Sequence, residues 1–208
     1  MTDKRTIHIV DDEDAIRRSV GFMLRTAGFA VETYVSGTAF LAEAAKATPG
    51  CVLLDIRMPG LDGLEVQQAL SDRGILLPVI MLTGHGDVTL AVSAIKAGAV
   101  DFLEKPFDKA ALIGAIEEAF RRSEATGKVT LDAADAVIRL AILTPRERDV
   151  LDGLVKGQPN KITAYELGIS TRTVEVHRAN LMTKLELRSL SDVLRLSFAA
   201  GLGAEAAA

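Results

Sequence analysis

The first 122 residues alternate short apolar segments with amphipathic ones, five times in succession. The predicted strands are bounded by turn residues and cover Thr6–Val10, Ala30–Val35, Cys51–Leu54, Pro78–Leu82 and Asp101–Leu103. The helical patterns that follow them cover Asp14–Ala27, Thr38–Ala47, Gly63–Ser71, Val88–Ala97 and Lys109–Arg122. Parallel strands need crossover connections, so this alternation predicts a parallel α/β sheet with helices on both faces.

Polar side chains lie at the carboxyl ends of four of the predicted strands. Asp11 and Asp12 follow the first strand, Asp55 the third, Thr83 the fourth and Lys105 the fifth. A strand order of 2-1-3-4-5 would bring these ends together at one edge of the sheet. Converging carboxylates repel one another, and a hard divalent cation with oxygen ligands relieves the repulsion. The pattern therefore predicts a Mg²⁺ site, and an ion-paired network without metal is the plainer alternative.

Asp55 stands where a carboxylate could attack a phosphoryl group in line and form an aspartyl phosphate. The ammonium group of Lys105, together with Mg²⁺, would neutralise the phosphoryl oxygens, and the hydroxyl group of Thr83 would donate to one of them. A metal-dependent phosphatase of the haloacid dehalogenase type is a rival interpretation. That class has a second Asp two residues after the nucleophile, where this chain has Arg57.

The pattern changes after Arg122. Residues 123–141 are predicted to be a linker, partly helical from Ala136 onwards, and residues 205–208 a frayed tail. Between them, residues 142–204 predict a separate all-α domain of four helices, at about 145–156, 160–167, 171–186 and 190–200. The first of these helices begins with a capping box, Thr144-Pro145-Arg146-Glu147.

The helix predicted at 171–186 has an apolar stripe formed by Val174, Leu181 and Leu185, and small or charged residues on the opposite arc. With the preceding short helix it predicts a helix-turn-helix that enters the DNA major groove. Residues 156–188 contain six basic and three acidic residues, although the whole chain has a net charge of −4. A small bundle with solvated charges is the alternative. The predicted DNA-contacting residues are Lys161, Arg172, Thr173, Glu175, Val176, Arg178, Ala179 and Lys184.

Residues 1–122 resemble the receiver domain of bacterial two-component response regulators, a flavodoxin-like (βα)5 fold. The matching segments are Ile9–Glu13, Leu54–Gly63, Leu82–Gly84 and Asp101–Phe107. The resemblance implies that Asp55 is the phosphoacceptor and that Asp11, Asp12, Asp55 and the carbonyl group of Arg57 hold Mg²⁺. It also implies a cis Lys105–Pro106 bond and a Thr83/Phe102 switch pair. Arg57 and His85 would tune the lifetime of the phosphate.

Residues 142–204 resemble the four-helix DNA-binding domain of the LuxR/NarL class, and Glu175 is typical of its FixJ-type branch. Together the two resemblances imply a transcription regulator that has no conventional substrate turnover. Its expected partners are a sensor histidine kinase, promoter DNA and RNA polymerase. Phosphorylation would dimerise the chain through the face around Val88–Asp101, and activation is the expected sign of regulation. A phosphate-independent DNA-binding module is the remaining rival.

Several classes are excluded by composition. No apolar run approaches the length of a membrane span, and the N-terminus has no signal-peptide core, so a cytoplasmic protein is expected. The single Cys51 allows no internal disulfide and no cysteine zinc cluster. His8, His85 and His177 share no ligand spacing. A phosphate contact and a packing role for His177 are equally compatible with its position.

Overall fold

Five parallel strands form one sheet in the order β2-β1-β3-β4-β5, as predicted. The computed structural model describes residues 4–84, 88–124, 133–187 and 189–203. The predictions for His85, for the tail at 205–208 and for residues 125–132 of the linker therefore lie outside the described residues. The strands are β1 (Thr6–Val10), β2 (Ala30–Tyr34), β3 (Gly50–Asp55), β4 (Val79–Thr83) and β5 (Asp101–Glu104).

Helices connect the strands and continue to the end of the described chain. The first five are α1 (Asp14–Thr26), α2 (Gly37–Glu43), α3 (Gly63–Asp72), α4 (Val88–Lys96) and α5 (Lys109–Glu124). A short 3-10 turn, Ala44–Lys46, follows α2, where the sequence predicted one continuous helix. The other five are α6 (Ala133–Leu140), α7 (Pro145–Val155), α8 (Asn160–Leu167), α9 (Thr171–Lys184) and α10 (Leu190–Ala199).

The described chain divides into two compact units, one of residues 4–84 and 97–124 and the other of residues 88–96 and 133–203. In the first unit, alternate strand residues such as Ile9, Leu53 and Ile80 point to one face of the sheet and pack with α1 and α5 residues such as Leu24 and Ile116. All these side chains are fully buried. Burial on both faces explains why the central strands are continuous apolar runs.

Residue pairing between the strands aligns the polar strand ends. Val10 pairs with Leu54, so that Asp11 and Asp55, the next residue along each strand, stand side by side. Thr83 pairs with Glu104, which brings Lys105 to the same edge. Gly63 lets α3 begin against this edge, because a Cβ atom there would lie 2.5 Å from the Asp55 carbonyl oxygen. The sheet register therefore assembles the predicted site residues.

In the second unit, α7 and α8 both contact α9. Val174, Leu181 and Leu185 are buried, which confirms the predicted apolar stripe of this helix. The predicted capping box forms between Thr144 and Glu147. Helix α6 begins at Ala133, three residues before the predicted start of the helical segment at Ala136. Ala133 and Ala134 are strong helix formers, so the helix extends into a stretch that polarity alone indicated to be linker.

Helix α4 belongs to the second unit. The Thr89 hydroxyl group donates a hydrogen bond to the carbonyl oxygen of Gly157 at 2.9 Å. Lys96 Nζ donates to the carbonyl oxygen of Gly203 at 3.0 Å and lies 5.3 Å from the centroid of the Phe198 ring. These contacts tie α4 to the start of the α7–α8 loop and to the end of the described chain.

Candidate functional site

Three carboxylates converge at the carboxyl edge of the sheet. One oxygen from each of Asp11, Asp12 and Asp55 lies within 4.8 Å of the others. Asp11 is 0% exposed and Asp55 is also buried, whereas Asp12 is exposed. The strand ends thus bring together residues that are separated by more than forty positions in the sequence. The structure brings these three predicted ligands into one cluster.

Lys105 bridges the two buried carboxylates. Its Nζ atom donates to Asp11 Oδ2 and to Asp55 Oδ1, both at 2.8 Å. Burial would lower the pKa of this ammonium group, but the hydrogen bonds to the two carboxylates outweigh burial and raise it. Lys105 therefore stays positively charged in the cluster. The bond between Lys105 and Pro106 is cis, as the resemblance implied.

Burial raises the pKa of Asp55 above its usual range. Hydrogen bonding to Lys105 opposes this shift, while the charges of Asp11 and Asp12 add to it. One cation thus faces three carboxylates, which leaves the cluster with excess negative charge. Hard oxygen donors at this spacing are the ligands that Mg²⁺ prefers, so the residues present fit that ion.

The loop after β1 is held by contacts that the sequence analysis did not identify. The Glu13 backbone N–H donates to Asp11 Oδ1 at 2.8 Å. Arg17 Nη1 donates to the backbone carbonyl oxygen of Asp11 at 2.6 Å. Arg17 lies six residues beyond Asp11 on α1, and a charge on an amphipathic helix carries no sequence signal for such a contact. The Asp11 carboxylate is consequently held by Glu13 and Lys105, and the backbone carbonyl group of the same residue by Arg17.

The remaining receiver-type residues stand around the cluster. Thr83 is buried at the end of β4, and its hydroxyl group donates to the carbonyl oxygen of Gly84 at 2.9 Å, not to a carboxylate. Phe102 is partly buried in β5. Arg57 is exposed two residues after Asp55. A role for its carbonyl group as a metal ligand stays a prediction.

The second unit contains the predicted helix-turn-helix. Gly168 ends α8 in the left-handed conformation, with φ of 65°, which is accessible to glycine without steric cost. Ser170 then caps α9, and its side chain accepts a hydrogen bond from the Thr173 backbone N–H. This short turn sets α8 and α9 against each other as a helix-turn-helix requires.

The residues predicted to contact DNA fall into two groups. Exposed side chains lie on α8 and on the outer arc of α9, and Val176 is 51% exposed there although it is apolar. Thr173 is partly buried next to the cap of α9. The first group consists of the exposed residues Lys161, Arg172, Glu175, Val176 and Ala179.

Two predicted phosphate contacts are engaged inside the unit instead. Arg178 is partly buried, and its Nη1 atom donates to Asn160 Oδ1 at 2.7 Å. Burial lowers the pKa of this guanidinium group. Lys184 Nζ donates to Glu147 Oε2 at 2.8 Å. Sequence analysis identified Glu147 only as a capping residue, because its burial depends on how α7 packs against α9.

The fold and the acidic cluster define the class of protein. A five-stranded parallel sheet of this order, with converging Asp residues and a bridging Lys, is joined to a helix-turn-helix unit. The response regulator receiver domain family matches residues 7–117, and the family described as bacterial regulatory proteins, luxR family, matches residues 141–197.

The chain belongs to the two-component response regulators that combine a receiver domain with a LuxR-family DNA-binding domain. Among its relatives is the transcriptional regulatory protein FixJ of Rhizobium meliloti (strain 1021), which is 50% identical over 98% of this chain and 99% of that protein. FixJ of Azorhizobium caulinodans is 47% identical over 97% of this chain and 96% of that protein.

A solved structure leads to the same family. The crystal structure of full-length FixJ from B. japonicum is 47% identical and covers 96% of this chain and 98% of its own, with a TM-score of 0.58. In the part of the chain that the structure describes, no helix is both long and apolar enough to cross a membrane. Receiver domains bind Mg²⁺ at an acidic pocket, and the response-regulator family implies a histidine kinase and promoter DNA as partners.

Proposed function

We propose that the chain accepts a phosphoryl group on Asp55 from a sensor histidine kinase and thereby controls transcription. The observation that carries this proposal is the cluster of three carboxylates, two of which, Asp11 and Asp55, are bridged by Lys105. A structural ion pair needs one carboxylate for one ammonium group. The excess of carboxylates is what a magnesium-dependent phosphoryl acceptor needs.

In the proposed transfer, an Asp55 carboxylate oxygen attacks the phosphorus atom of a phosphohistidine. A P–O bond forms, the P–N bond breaks, and the imidazole group leaves with the electron pair of that bond. Lys105 is placed to neutralise the phosphoryl oxygens, and Thr83 would turn its hydroxyl group towards one of them. Phe102 would then move into the space that Thr83 leaves.

The residues that would hold Mg²⁺ are Asp11, Asp12, Asp55 and the Arg57 carbonyl group. The ion supplies positive charge that offsets the charge of the phosphoryl oxygens. Hydrolysis of the aspartyl phosphate returns the chain to its starting state, at a rate that Arg57 and His85 would tune. We propose no turnover of a separate substrate beyond this slow self-dephosphorylation.

We further propose that residues 1–122 act as the receiver domain, residues 123–141 as the linker and residues 142–204 as the DNA-binding domain. Phosphorylation would pair two chains through the face around Val88–Asp101, which includes α4. Because Thr89 and Lys96 of α4 donate hydrogen bonds to the carbonyl oxygens of Gly157 and Gly203 in the second unit, pairing would replace these contacts. The proposed dimer activates transcription with RNA polymerase, in the cytoplasm.

The proposed dimer places two copies of α9 in successive major grooves, about one helical turn apart. Arg172 would pair with guanine, Glu175 would accept from cytosine, and Val176 would contact a thymine methyl group. Thr173 and Ala179 complete this surface. Lys161, Arg178 and Lys184 are the cationic side chains proposed for phosphate groups, which position the helix without reading sequence.

The test of phosphorylation is intact mass after incubation with acetyl phosphate and Mg²⁺. We expect the wild-type chain to gain the mass of one phosphoryl group and Asp55→Asn to gain none. Asp72→Asn, at the end of α3, is the matched control and should behave as wild type. A gain that survives Asp55→Asn would overturn the phosphoacceptor assignment, and turnover of small phosphate esters would favour the phosphatase interpretation.

The test of regulation compares the two states of the same chain. Sedimentation should show a monomer before phosphorylation and a dimer after it. Footprinting on fragments of its own genome should show tighter protection by the phosphorylated chain. Equal protection by both states would favour a phosphate-independent DNA-binding module, and transcription assays with RNA polymerase would establish the sign of regulation.

A further inference from the structure

The C-terminal end of α9 is tied to the N-terminal end of α7 by an ion pair. Lys184 Nζ donates to Glu147 Oε2 at 2.8 Å, across 37 positions of sequence. Lys184 is the last residue of α9, and Glu147 lies in the first turn of α7. The pair therefore connects the helix proposed to read DNA with the helix on which it packs.

Glu147 is an unusual carboxylate for a surface helix end, because it is only 3% exposed. Its Oε2 atom also accepts a hydrogen bond from the Thr144 backbone N–H at 2.8 Å. The hydrogen bond from Lys184 is the main cause that lowers the pKa of Glu147 to about 2. A buried carboxylate that loses its cation is strongly unfavourable in a folded protein.

Lys184 consequently differs from Lys161 as a candidate for contact with phosphate groups. The side chain of Lys184 is 40% exposed, and its ammonium group already neutralises a buried charge. Lys161 is exposed on α8. Movement of Lys184 to a phosphate group would leave Glu147 without its cation, whereas movement of Lys161 breaks no such pair among the described contacts.

We propose that Lys184 is a positioning residue, which holds α9 on α7 through Glu147 and does not neutralise a phosphate group. The proposal rests on the DNA-binding function proposed above and revises the part that Lys184 has in it. Its consequence is that Glu147, which is buried and carries a negative charge, supports DNA recognition.

The test uses the full chain phosphorylated with acetyl phosphate. The probes are a duplex of about 30 base pairs, long enough for two half-sites, that the wild type enriches from a random pool, and a shuffled duplex. The affinity is measured against salt concentration. Lys161→Met is the matched control and should lower the slope of log affinity against log salt by about 0.9, the loss of one phosphate contact.

We expect Lys184→Met to keep the wild-type salt slope and to reduce discrimination between the two duplexes about tenfold. Glu147→Gln should have the same effect, and the double variant should be no worse than either single variant. Lys184→Arg should restore discrimination, because it keeps the ion pair. A variant that is only less stable would keep full discrimination well below its melting temperature, so these results separate positioning from stability.

Two results would overturn the proposal while DNA binding stands. One is a salt slope for Lys184→Met that falls as much as that for Lys161→Met. The other is tighter DNA binding by Glu147→Gln, which a phosphate-contacting Lys184 would cause once released. If the wild type enriched no duplex, the DNA-binding function itself would fail. A double-mutant cycle on thermal unfolding would then still test the pair, and additive effects of the two substitutions would refute it.

Discussion

The two units of the molecule arrange their charged residues in opposite ways. In the first unit, three carboxylates and one ammonium group from three strand ends meet at one site, where Asp11 and Asp55 are buried and Asp12 is exposed. In the second unit, most of the residues proposed for DNA lie exposed along α8 and α9, and an ion pair between the buried Glu147 and the exposed Lys184 joins α7 to α9. Phosphoryl transfer requires charged groups from distant positions to converge at one point, whereas DNA recognition requires one well-oriented helix.

The largest expected effect follows from removing the cation of the first unit. Lys105→Met should slow phosphorylation by acetyl phosphate about 100-fold, because the phosphoryl oxygens lose a positive charge. It should also lower the free energy of unfolding by about 3 kcal/mol, because Asp11 and Asp55 lose their partner. Mass spectrometry over time and urea denaturation measure the two effects.

Lys109→Met is the control for this substitution, since Lys109 is exposed in the first turn of α5. It should leave both the rate and the stability close to wild type. If Lys105→Met were phosphorylated by acetyl phosphate at the wild-type rate, the positive charge of Lys105 would have no part in phosphoryl transfer.

The second prediction concerns the metal. Mg²⁺ at about 100 times its dissociation constant should raise the free energy of unfolding of the first unit by about 2.7 kcal/mol. Asp12→Asn should remove most of this gain, because it removes one of the three carboxylates proposed to hold the ion. Calorimetry with Mg²⁺ and with a chelator measures the difference. Asp152→Asn on α7 is the control, and Mg²⁺ should stabilise it as much as the wild type. If Mg²⁺ also stabilised Asp12→Asn as much as the wild type, Asp12 would not be a ligand of the ion.

The third prediction concerns pH and the second unit. The pKa of Glu147 is lowered from 4.5 to about 2, so the folded state holds its carboxylate charged where the unfolded state takes up a proton. The stability that this charge contributes is therefore full above about pH 5 and is lost as the pH falls towards 2. Glu147→Gln should cost about 1.5 kcal/mol at neutral pH and progressively less below pH 4.5.

Urea denaturation of both chains across this pH range checks the third prediction. Glu166→Gln, on the exposed surface of α8, serves as the control, and its difference in stability from the wild type should not shrink as the pH falls. If the loss in free energy of unfolding caused by Glu147→Gln stayed constant down to acidic pH, Glu147 would stabilise the second unit by packing and not by its charge.

The smallest expected effect is a backbone effect. Gly168→Ala has room for its methyl group but must adopt a φ of 65°, which should cost about 1 kcal/mol of stability in the second unit. Phosphorylation of Asp55 should be unchanged. Gly114→Ala, in the helical backbone of α5, should instead stabilise the first unit, because alanine is the better helix former. Thermal unfolding measures the loss of stability in Gly168→Ala and the gain in Gly114→Ala. A Gly168→Ala chain as stable as the wild type would show that the left-handed conformation at this turn is not required.

Much of the first unit could be predicted because its determinants are local. The apolar runs and turn residues placed all five strands within one or two residues, and β1 was predicted to the residue. The strand-end rule then placed Asp11, Asp12, Asp55 and Lys105 at one edge. The contact from Arg17 to the Asp11 carbonyl group could not be predicted, because it depends on the rotamer of a side chain six residues away.

The second unit was predictable to the level of helices but not of side-chain partners. The capping box at Thr144, the cap at Ser170 and the stop at Gly168 act within one turn of helix, so the sequence alone sufficed for them. The sequence did not predict the hydrogen bonds from Arg178 to Asn160 and from Lys184 to Glu147. On a helical wheel both cations lie beside the apolar stripe of α9, Arg178 about 40° and Lys184 about 80° from Val174, and a wheel contains no neighbouring helix to show their partners.

The amino-acid sequence alone specifies the features that depend on neighbouring residues: the alternation of strands and helices, the turns and caps, and the polar residues at the strand ends. The tertiary structure decided which of these residues touch. It paired Lys105 with two carboxylates and turned the Thr83 hydroxyl group towards Gly84. It also buried Glu147 under Lys184. The physical reason is that local backbone preferences act over a few residues, whereas burial and charge pairing depend on the packing of segments that are distant along the chain.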